Sequence, residues 1–354
     1  MKTLLLNEAS FTTGVGVYAK LTYEALSKYY EVNLLNFKFY QHYFELGQTV
    51  DRNYLKDHNH LNMLISATIG KVRTKKEKYD VVHALNSLVS IFSDPQPDFV
   101  TLHHLNSFEN PKNYNYSFRI AAKFVVSNIV KKSKIITLSH YEEKILKKHF
   151  PCAKVKVIYP YSQFSRFAEV KDKIQARQNL RIPYDAKVII AVGVGLPYKN
   201  FKTLYKAVNN KNYYIIRVGD SKFREEETLN MKIPANVHYF GSGNLHLNTL
   251  LDAYLSSDLL VFTSVDEGFG IPLMEAFSLG LPVVANHCTS VPELVGNAGI
   301  LVNDPFNPDE LFEAINEAYF NSDKYSKKSK DRSGLFTEES FLKNLVDAYS
   351  AKYD

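Results

Sequence analysis

The sequence predicts an α/β protein made of two Rossmann-like domains with parallel sheets. Three observations carry that expectation. The chain has 354 residues, more than one core ordinarily serves. Short apolar, β-branched runs alternate with amphipathic helical patterns, as parallel strands covered on both faces require. Those runs also fall into two series of six, divided by a polar stretch.

The first series is KTLLL, EVNLL, YDVVHAL, DFVTLHH, KIITLS and KVKVIYP, with helical patterns at Val17–Tyr29, Ser117–Lys131 and Tyr141–Phe150. The stretch from Tyr159 to Asp185 is polar, has no strand pattern and holds Pro183 near its end, so the domain boundary is placed there. The expected domains are 1–160 and 161–354. The second series is AKVIIAVG, NYYIIRVG, NVHYFG, DLLVFTS, LPVVAN and GILVN, with helices expected at Leu247–Ser257 and Pro308–Tyr319. A last helix, Thr337–Tyr349, is free to pack back on the first domain.

Composition excludes several classes. At 45% hydrophobic and 23% charged residues, the chain is neither fibrous nor a disordered tail. Cys152 and Cys288 are far apart and outside any CxxC, which fits a reducing compartment and a cytoplasmic location and argues against a cysteine zinc site. The start MKTLLLNEAS turns polar at once and reads as a first strand. No apolar run approaches the ~18 residues that span a bilayer, so membrane contact would be peripheral.

Net charge is +6 but uneven: residues 1–160 carry 22 Lys and Arg against 13 Asp and Glu. Much of the excess lies in Lys123, Lys131, Lys132, Lys134, Lys144, Lys147 and Lys148. Two explanations stand, solvated helix faces or a surface that meets anionic lipid at the inner face of the cell membrane. Aromatic interleaving is too sparse for a nucleic-acid groove.

The stretch TTGVGVYAKL contains Gly14, Gly16 and Ala19, one form of the dinucleotide fingerprint. Its context fails. Strand one should end near Leu6, eight residues before Gly14, and strand two ends in Asn36, Phe37 and Lys38 without the ribose-holding carboxylate. What remains is a glycine loop opening a helix, which lets backbone N–H groups approach an anion.

A stronger pattern is SVDEGFGIPLMEAFSLGLPVVA, Ser264 to Ala285. An apolar strand leads into Gly268, Phe269 and Gly270. Pro272 suits the first helical position, and the free helix N-terminus suits a diphosphate. Glu267 precedes the turn and Glu275 is expected on the first helical turn, where a carboxylate can take both hydroxyls of a ribose. A lone Glu there could simply complement the helix dipole. That would leave Glu267, the glycines and the proline without explanation.

The E-x7-E pattern EGFGIPLMEA, followed by GLPVVA and TSVPELVGNAGILVNDPFNPDEL, resembles the retaining GT-B glycosyltransferases of family 4, the group 1 glycosyltransferases. VGVGLPYKN, IIRVGD and VHYFGSGNLHLNTLLDAYLSSDLLVFTS extend the resemblance upstream. TGVGVYAKLTYEAL, YDVVHALNS, VTLHHLN and IITLSHYEEKILKKHF continue it more loosely. The resemblance implies two Rossmann-like domains facing across a cleft, the first on the acceptor side and the second binding a nucleotide sugar. It implies that Glu275 holds the ribose, that Glu267 contacts the donor sugar, and that backbone around Gly268, Phe269, Gly270 and Ile271 meets sugar and diphosphate. It further implies that Lys199 binds phosphate, that His103 contacts the donor sugar, and that Gly14 and Gly16 help to enclose it.

Two departures stand out. Where a second basic residue often precedes the lysine, this chain has Val194, Gly195 and Leu196, leaving Arg217 or Lys222 as substitutes. His104 stands where Asp is more usual. No D-x-D occurs and no His/Cys/Asp cluster suggests a metal, so the expected enzyme uses neither metal nor cofactor. The activity implied is transfer of a hexose from a nucleotide-diphosphate sugar to a hydroxyl of a glycan or lipid-linked acceptor, with retention. A GT-B nucleotide-sugar epimerase and a catalytically weak nucleotide-sugar-binding protein are the alternatives.

Overall fold

A computed structural model of the chain describes residues 1–7, 9, 13–36, 72–73, 78–87, 90, 93–94, 96–110, 116–165, 172–240 and 245–351. The chain divides into two compact units, Met1–Pro160 with Glu338–Asp354, and Tyr161–Thr337.

The first unit opens with β1 (Lys2–Asn7), α1 (Gly14–Ser27) and β2 (Glu31–Asn36). Then follow β3 (Val72–Arg73), β4 (Val81–Ala84), β5 (Ser93–Asp94), β6 (Phe99–Leu102), α2 (Tyr116–Val130), β7 (Lys134–Thr137), α3 (His140–His149) and β8 (Val155–Val157). Six of the strands form one parallel sheet in the order β2-β1-β4-β6-β7-β8. The register pairs Leu4 with Asn33 on one side and Val82 on the other. Val81 to Ala84 and Phe99 to Leu102 are buried throughout, which is why these runs are continuous rather than alternating. Two-residue strands β3 and β5 pair separately, an element without an apolar pattern to announce it.

The second unit begins with α4 (Lys173–Leu180), which lies inside the polar stretch that has no strand pattern. Asp172 caps it by accepting from Gln175 N–H at 2.7 Å. Next come β9 (Val188–Val192), α5 (Phe201–Ala207), β10 (Tyr214–Val218), α6 (Lys222–Leu229), β11 (Val237–Phe240), α7 (Leu247–Leu255) and β12 (Leu259–Phe262). The unit closes with α8 (Ile271–Ser278), β13 (Val283–Asn286), α9 (Val291–Val295), β14 (Ile300–Val302), α10 (Pro308–Phe320) and α11 (Ser322–Ser333). Its six strands are parallel in the order β11-β10-β9-β12-β13-β14. The strand order reverses between β9 and β12, and the carboxyl ends of that pair form the crevice where such sheets take ligands.

The last helix, α12 (Glu338–Ser350), belongs to the first unit. Tyr349 Oη lies 2.7 Å from Nδ1 of the wholly buried His83, whose Nε2 lies 2.8 Å from Thr101 Oγ1. Phe341 meets Tyr18 edge-on at 6.0 Å, and Lys28 pairs with Glu338. Among the described residues, no helix is long and apolar enough to cross a membrane.

Candidate functional site

The loops after β9 and β12 meet at the reversal point of the second sheet. After β9, Gly193 turns with φ +134°, a conformation that strains any residue with a side chain. The chain then makes a short 3-10 turn at Pro197–Lys199. After β12, Thr263 Oγ1 donates to Lys199 O at 2.7 Å and Val265 N–H donates to Tyr198 O at 2.8 Å, so one loop clamps the other. Asn200 is held by its own bond to Pro305 O at 2.6 Å. The Lys199 side chain lies over Gly193, where a Cβ would stand 3.3 Å from Lys199 Cε.

Lys199 forms an ion pair with Glu267, and its Nζ lies 5.4 Å from the Tyr198 ring centre. Glu267 N–H donates to Thr289 Oγ1 at 3.2 Å, and Ser290 Oγ donates to Glu267 O and Phe269 O at 3.2 and 3.0 Å. The β13–α9 connection therefore fixes the 267–270 turn. Gly270, at φ +117°, is the N-cap of α8 and has no side chain to cap it. The amino end of α8 presents the positive end of the helix dipole; Pro272 carries no N–H there and Leu273 N–H donates to Gly270 O at 3.0 Å.

Glu275 departs from its expected position. The helix starts at Ile271, so Pro272 is second and Glu275 fifth, on the second turn. Its side chain is buried. Tyr254 Oη donates to Oε2 at 2.6 Å and Gln163 Nε2 to Oε1 at 2.7 Å. Burial pushes the carboxyl up to about 7, against the pull of the Tyr254 and Gln163 hydrogen bonds. Neither partner was visible in the sequence. Tyr254 sits among the apolar residues of α7, and Gln163 lies in the polar divider.

Arg217 is not available to replace the absent basic residue. It is wholly buried, with Nε 3.0 Å from Glu225 Oε2, and its guanidinium carbon lies 3.7 Å from the centre of the Phe201 ring. A side chain at Gly195 is excluded too, because a Cβ would come within 2.9 Å of Asp220 and Glu225. Val194 is exposed. Lys222 is exposed at the start of α6. Gly241–Asn244, part of the segment that resembles the nucleotide side, lies outside the described residues.

The remaining expected residues lie in the first unit. Gly14 and Gly16 are inside the first turn of α1, not in a loop before Val17, because Thr13 caps the helix by accepting from Gly16 N–H at 3.2 Å. His103 follows β6. Its Nε2 lies 2.7 Å from Leu85 O, so that nitrogen carries the proton, and the Tyr18 ring packs edge-on at 4.9 Å. Burial lowers its pKa to about 4, so the ring is neutral at pH 7. His104 is exposed instead. Of the lysine cluster, Lys147 pairs with Glu143 and Lys148 with Glu109.

Residues 172–332 match the family model described as Glycosyl transferases group 1. The O-antigen chain mannosyltransferase RfbU of Salmonella typhimurium is 24% identical over 213 residues, covering 58% of this chain and 56% of that protein. The chain spans between 15 and 56% of the length of the first curated relatives it matches. Sucrose-phosphate synthase from Thermosynechococcus elongatus superposes with a TM-score of 0.75 at 17% identity, covering 100% of this chain and 99% of that one. Anabaena HepE in complex with UDP and glucose gives 0.72 at 18% identity, covering 99% of both chains. The fold of two parallel six-stranded sheets with flanking helices is the GT-B fold.

Proposed function

We propose that the protein transfers a hexose from a nucleotide-diphosphate sugar to a hydroxyl acceptor, with retention and without a metal. The observation that supports this most is the meeting of Lys199, Glu267 and the uncapped amino end of α8 at the reversal point of the second sheet. A cation and the positive end of a helix dipole there suit a leaving diphosphate, and a neighbouring carboxylate suits sugar hydroxyls. In the reaction the acceptor oxygen bonds to the anomeric carbon on the face that the phosphate oxygen leaves. The departing phosphate takes the acceptor proton. Lys199 stabilises the growing charge on that phosphate, and Glu275 holds the ribose. His103, neutral and protonated on Nε2, offers Nδ1 as an acceptor for a donor-sugar hydroxyl. Mass spectrometry of products from UDP-, GDP- and ADP-sugars, with and without chelator, tests the assignment. An isomerised nucleotide sugar would mean an epimerase, and binding without turnover on a broad acceptor panel would mean a binding protein. Activity abolished by chelator would overturn the metal-free part.

A lipid-linked acceptor at an anionic membrane, on its cytoplasmic face, is part of the same proposal. Residues 110–141 contain six Lys and Arg and no acidic residue. Within them α2 exposes Tyr116, Ile120 and Phe124, 74, 53 and 65%, at four-residue spacing on one helix face, with exposed Arg119 and Lys123 alongside. An apolar stripe edged by cations suits the headgroup region of an anionic bilayer. Flotation with vesicles should show binding that rises with anionic lipid, falls with salt and is lost in the Ile120→Ser, Phe124→Ser double variant. Unchanged flotation of that variant would remove α2 from the proposal and leave the transferase assignment intact.

A further inference from the structure

A ribose brings two hydroxyl donors side by side, and each needs an acceptor. Glu275 is the acceptor in the function proposed above, and the inference drawn here rests on that assignment. Both of its oxygens are already engaged, Oε2 by Tyr254 Oη at 2.6 Å and Oε1 by Gln163 Nε2 at 2.7 Å. Tyr254 is wholly buried, its ring set at an angle to Phe164 with 5.4 Å between centroids, so its hydroxyl stays on Oε2. Glu275 is 3% exposed, whereas Gln163 is only half-buried. Gln163 is therefore the more accessible member of the pair, bonded directly to the oxygen that a ribose hydroxyl would reach. The bond to Glu275 also orients the amide. Its NH2 faces the carboxylate, which turns the carbonyl oxygen away from it, and that oxygen accepts nothing from the described residues.

We propose that Gln163 is a second ribose-binding residue: its side-chain carbonyl accepts one ribose hydroxyl while Glu275 Oε1 accepts the other, and Tyr254 acts as the positioning residue that holds the carboxylate. Glu275 Oε1 has two lone pairs, so it keeps the Gln163 amide while it takes the hydroxyl. The clamp thus joins one charged acceptor and one neutral acceptor, tied to each other by a hydrogen bond. The competing behaviour is that the Gln163 amide merely occupies Glu275 Oε1 and is displaced from it by the ribose. The two behaviours have opposite signs when Gln163 is removed.

The experiment is calorimetry on the full chain. UDP, GDP and ADP are titrated first, then the 2′-deoxy and 3′-deoxy forms of the one that binds. The wild type should lose about 5–10-fold in affinity for each missing hydroxyl, the worth of one hydrogen bond. Gln163→Leu should bind the ribose form about 5–10-fold more weakly and no longer discriminate against one of the two deoxy forms. Gln163→Asn, which keeps the amide but shortens its reach, should behave the same way. Unchanged or tighter binding by both variants overturns the clamp. If Glu275→Gln still weakens binding in that case, the ribose role of Glu275 survives alone. No effect of Glu275→Gln, or no binding of any of the three nucleotides to the wild type, overturns the assignment beneath the clamp as well.

Discussion

Lys199 and Glu267, 68 residues apart in sequence, form an ion pair at the reversal point of the second sheet, where each is only 14 and 13% exposed. The cation expected at the phosphate and the carboxylate expected at the sugar thus pair with each other. Lys199→Ala should lower kcat by roughly 10²–10³ with a smaller change in KM, because the leaving diphosphate carries most charge at the transition state. Steady-state kinetics at saturating donor checks this. A rise in KM with kcat intact would make Lys199 a binding group only.

Gly193→Ala should reproduce part of that loss without removing the lysine. The new methyl stands 3.3 Å from Lys199 Cε, and the backbone at φ +134° resists any side chain. The strain should cost on the order of 1–3 kcal/mol of stability. Turnover should fall together with the unfolding midpoint in urea, and a variant with full activity would show that Lys199 is not held against Gly193.

The buried Glu275 gives the second unit an unusual pH dependence. Its carboxyl titrates near 7 when folded, against an ordinary value of 4.5, so the folded state binds the proton more tightly. That contribution is fully present below about 4.5 and is lost as pH rises through 7, on the order of 3 kcal/mol. Nucleotide binding should move the opposite way, strengthening as the carboxylate ionises. Thermal midpoints from pH 5 to 8 should show the falling component in the wild type and lack it in Glu275→Gln.

His83 acts with the reverse sign in the first unit. Burial holds its pKa near 3, below the ordinary 6.5, so stability is lost as pH falls from 6.5 towards 3. Tyr349→Phe removes the hydroxyl at Nδ1 and should cost about 1 kcal/mol in addition. Hydrogen exchange should show β4 and α12 opening early on acidification. Equal protection of both at pH 4 and pH 7 would contradict this.

Arg217 and Glu225 are each wholly buried, with Tyr205 Oη donating to Glu225 at 2.5 Å. Arg217→Met should cost about 3–5 kcal/mol because it strands a buried carboxylate, and Glu225→Leu in the same chain should recover much of it. Urea unfolding of the single and double variants measures the difference. Additive losses would mean that the pair is not coupled.

Twelve of the strands could be read from sequence as short apolar runs; inner ones such as Val81–Ala84 and Leu259–Phe262 are buried on both faces, whereas β2, β8, β11 and β14 are only partly buried. Strands β3 and β5 offered two residues each and no such run. Helix α4 was missed because it has no apolar stripe: Ala176 and Arg177 are its buried residues, and Arg177 bonds to Ser256 O. The start of α1 was misplaced because glycines suggested a loop, while Thr13 supplied the cap. In the candidate site, Glu267 and Glu275 could be named from the glycine turn and helix start that they bracket, and Lys199 from the resemblance. Their partners could not, since Gln163 lies 112 residues from Glu275 and nothing local marks the contact.

Because Glu338–Asp354 belongs with Met1–Pro160, the order of synthesis and the order of assembly differ. Residues 161–337 emerge from the ribosome as a continuous piece and hold every strand of their own sheet. The first unit, although made first, must wait. Until residues 338–350 appear, His83 lacks the Tyr349 hydroxyl and Tyr18 lacks the Phe341 ring. A stop codon or protease cut shortly after Thr337 would therefore injure the amino-terminal half of the protein, and leave the nearer half largely as it was.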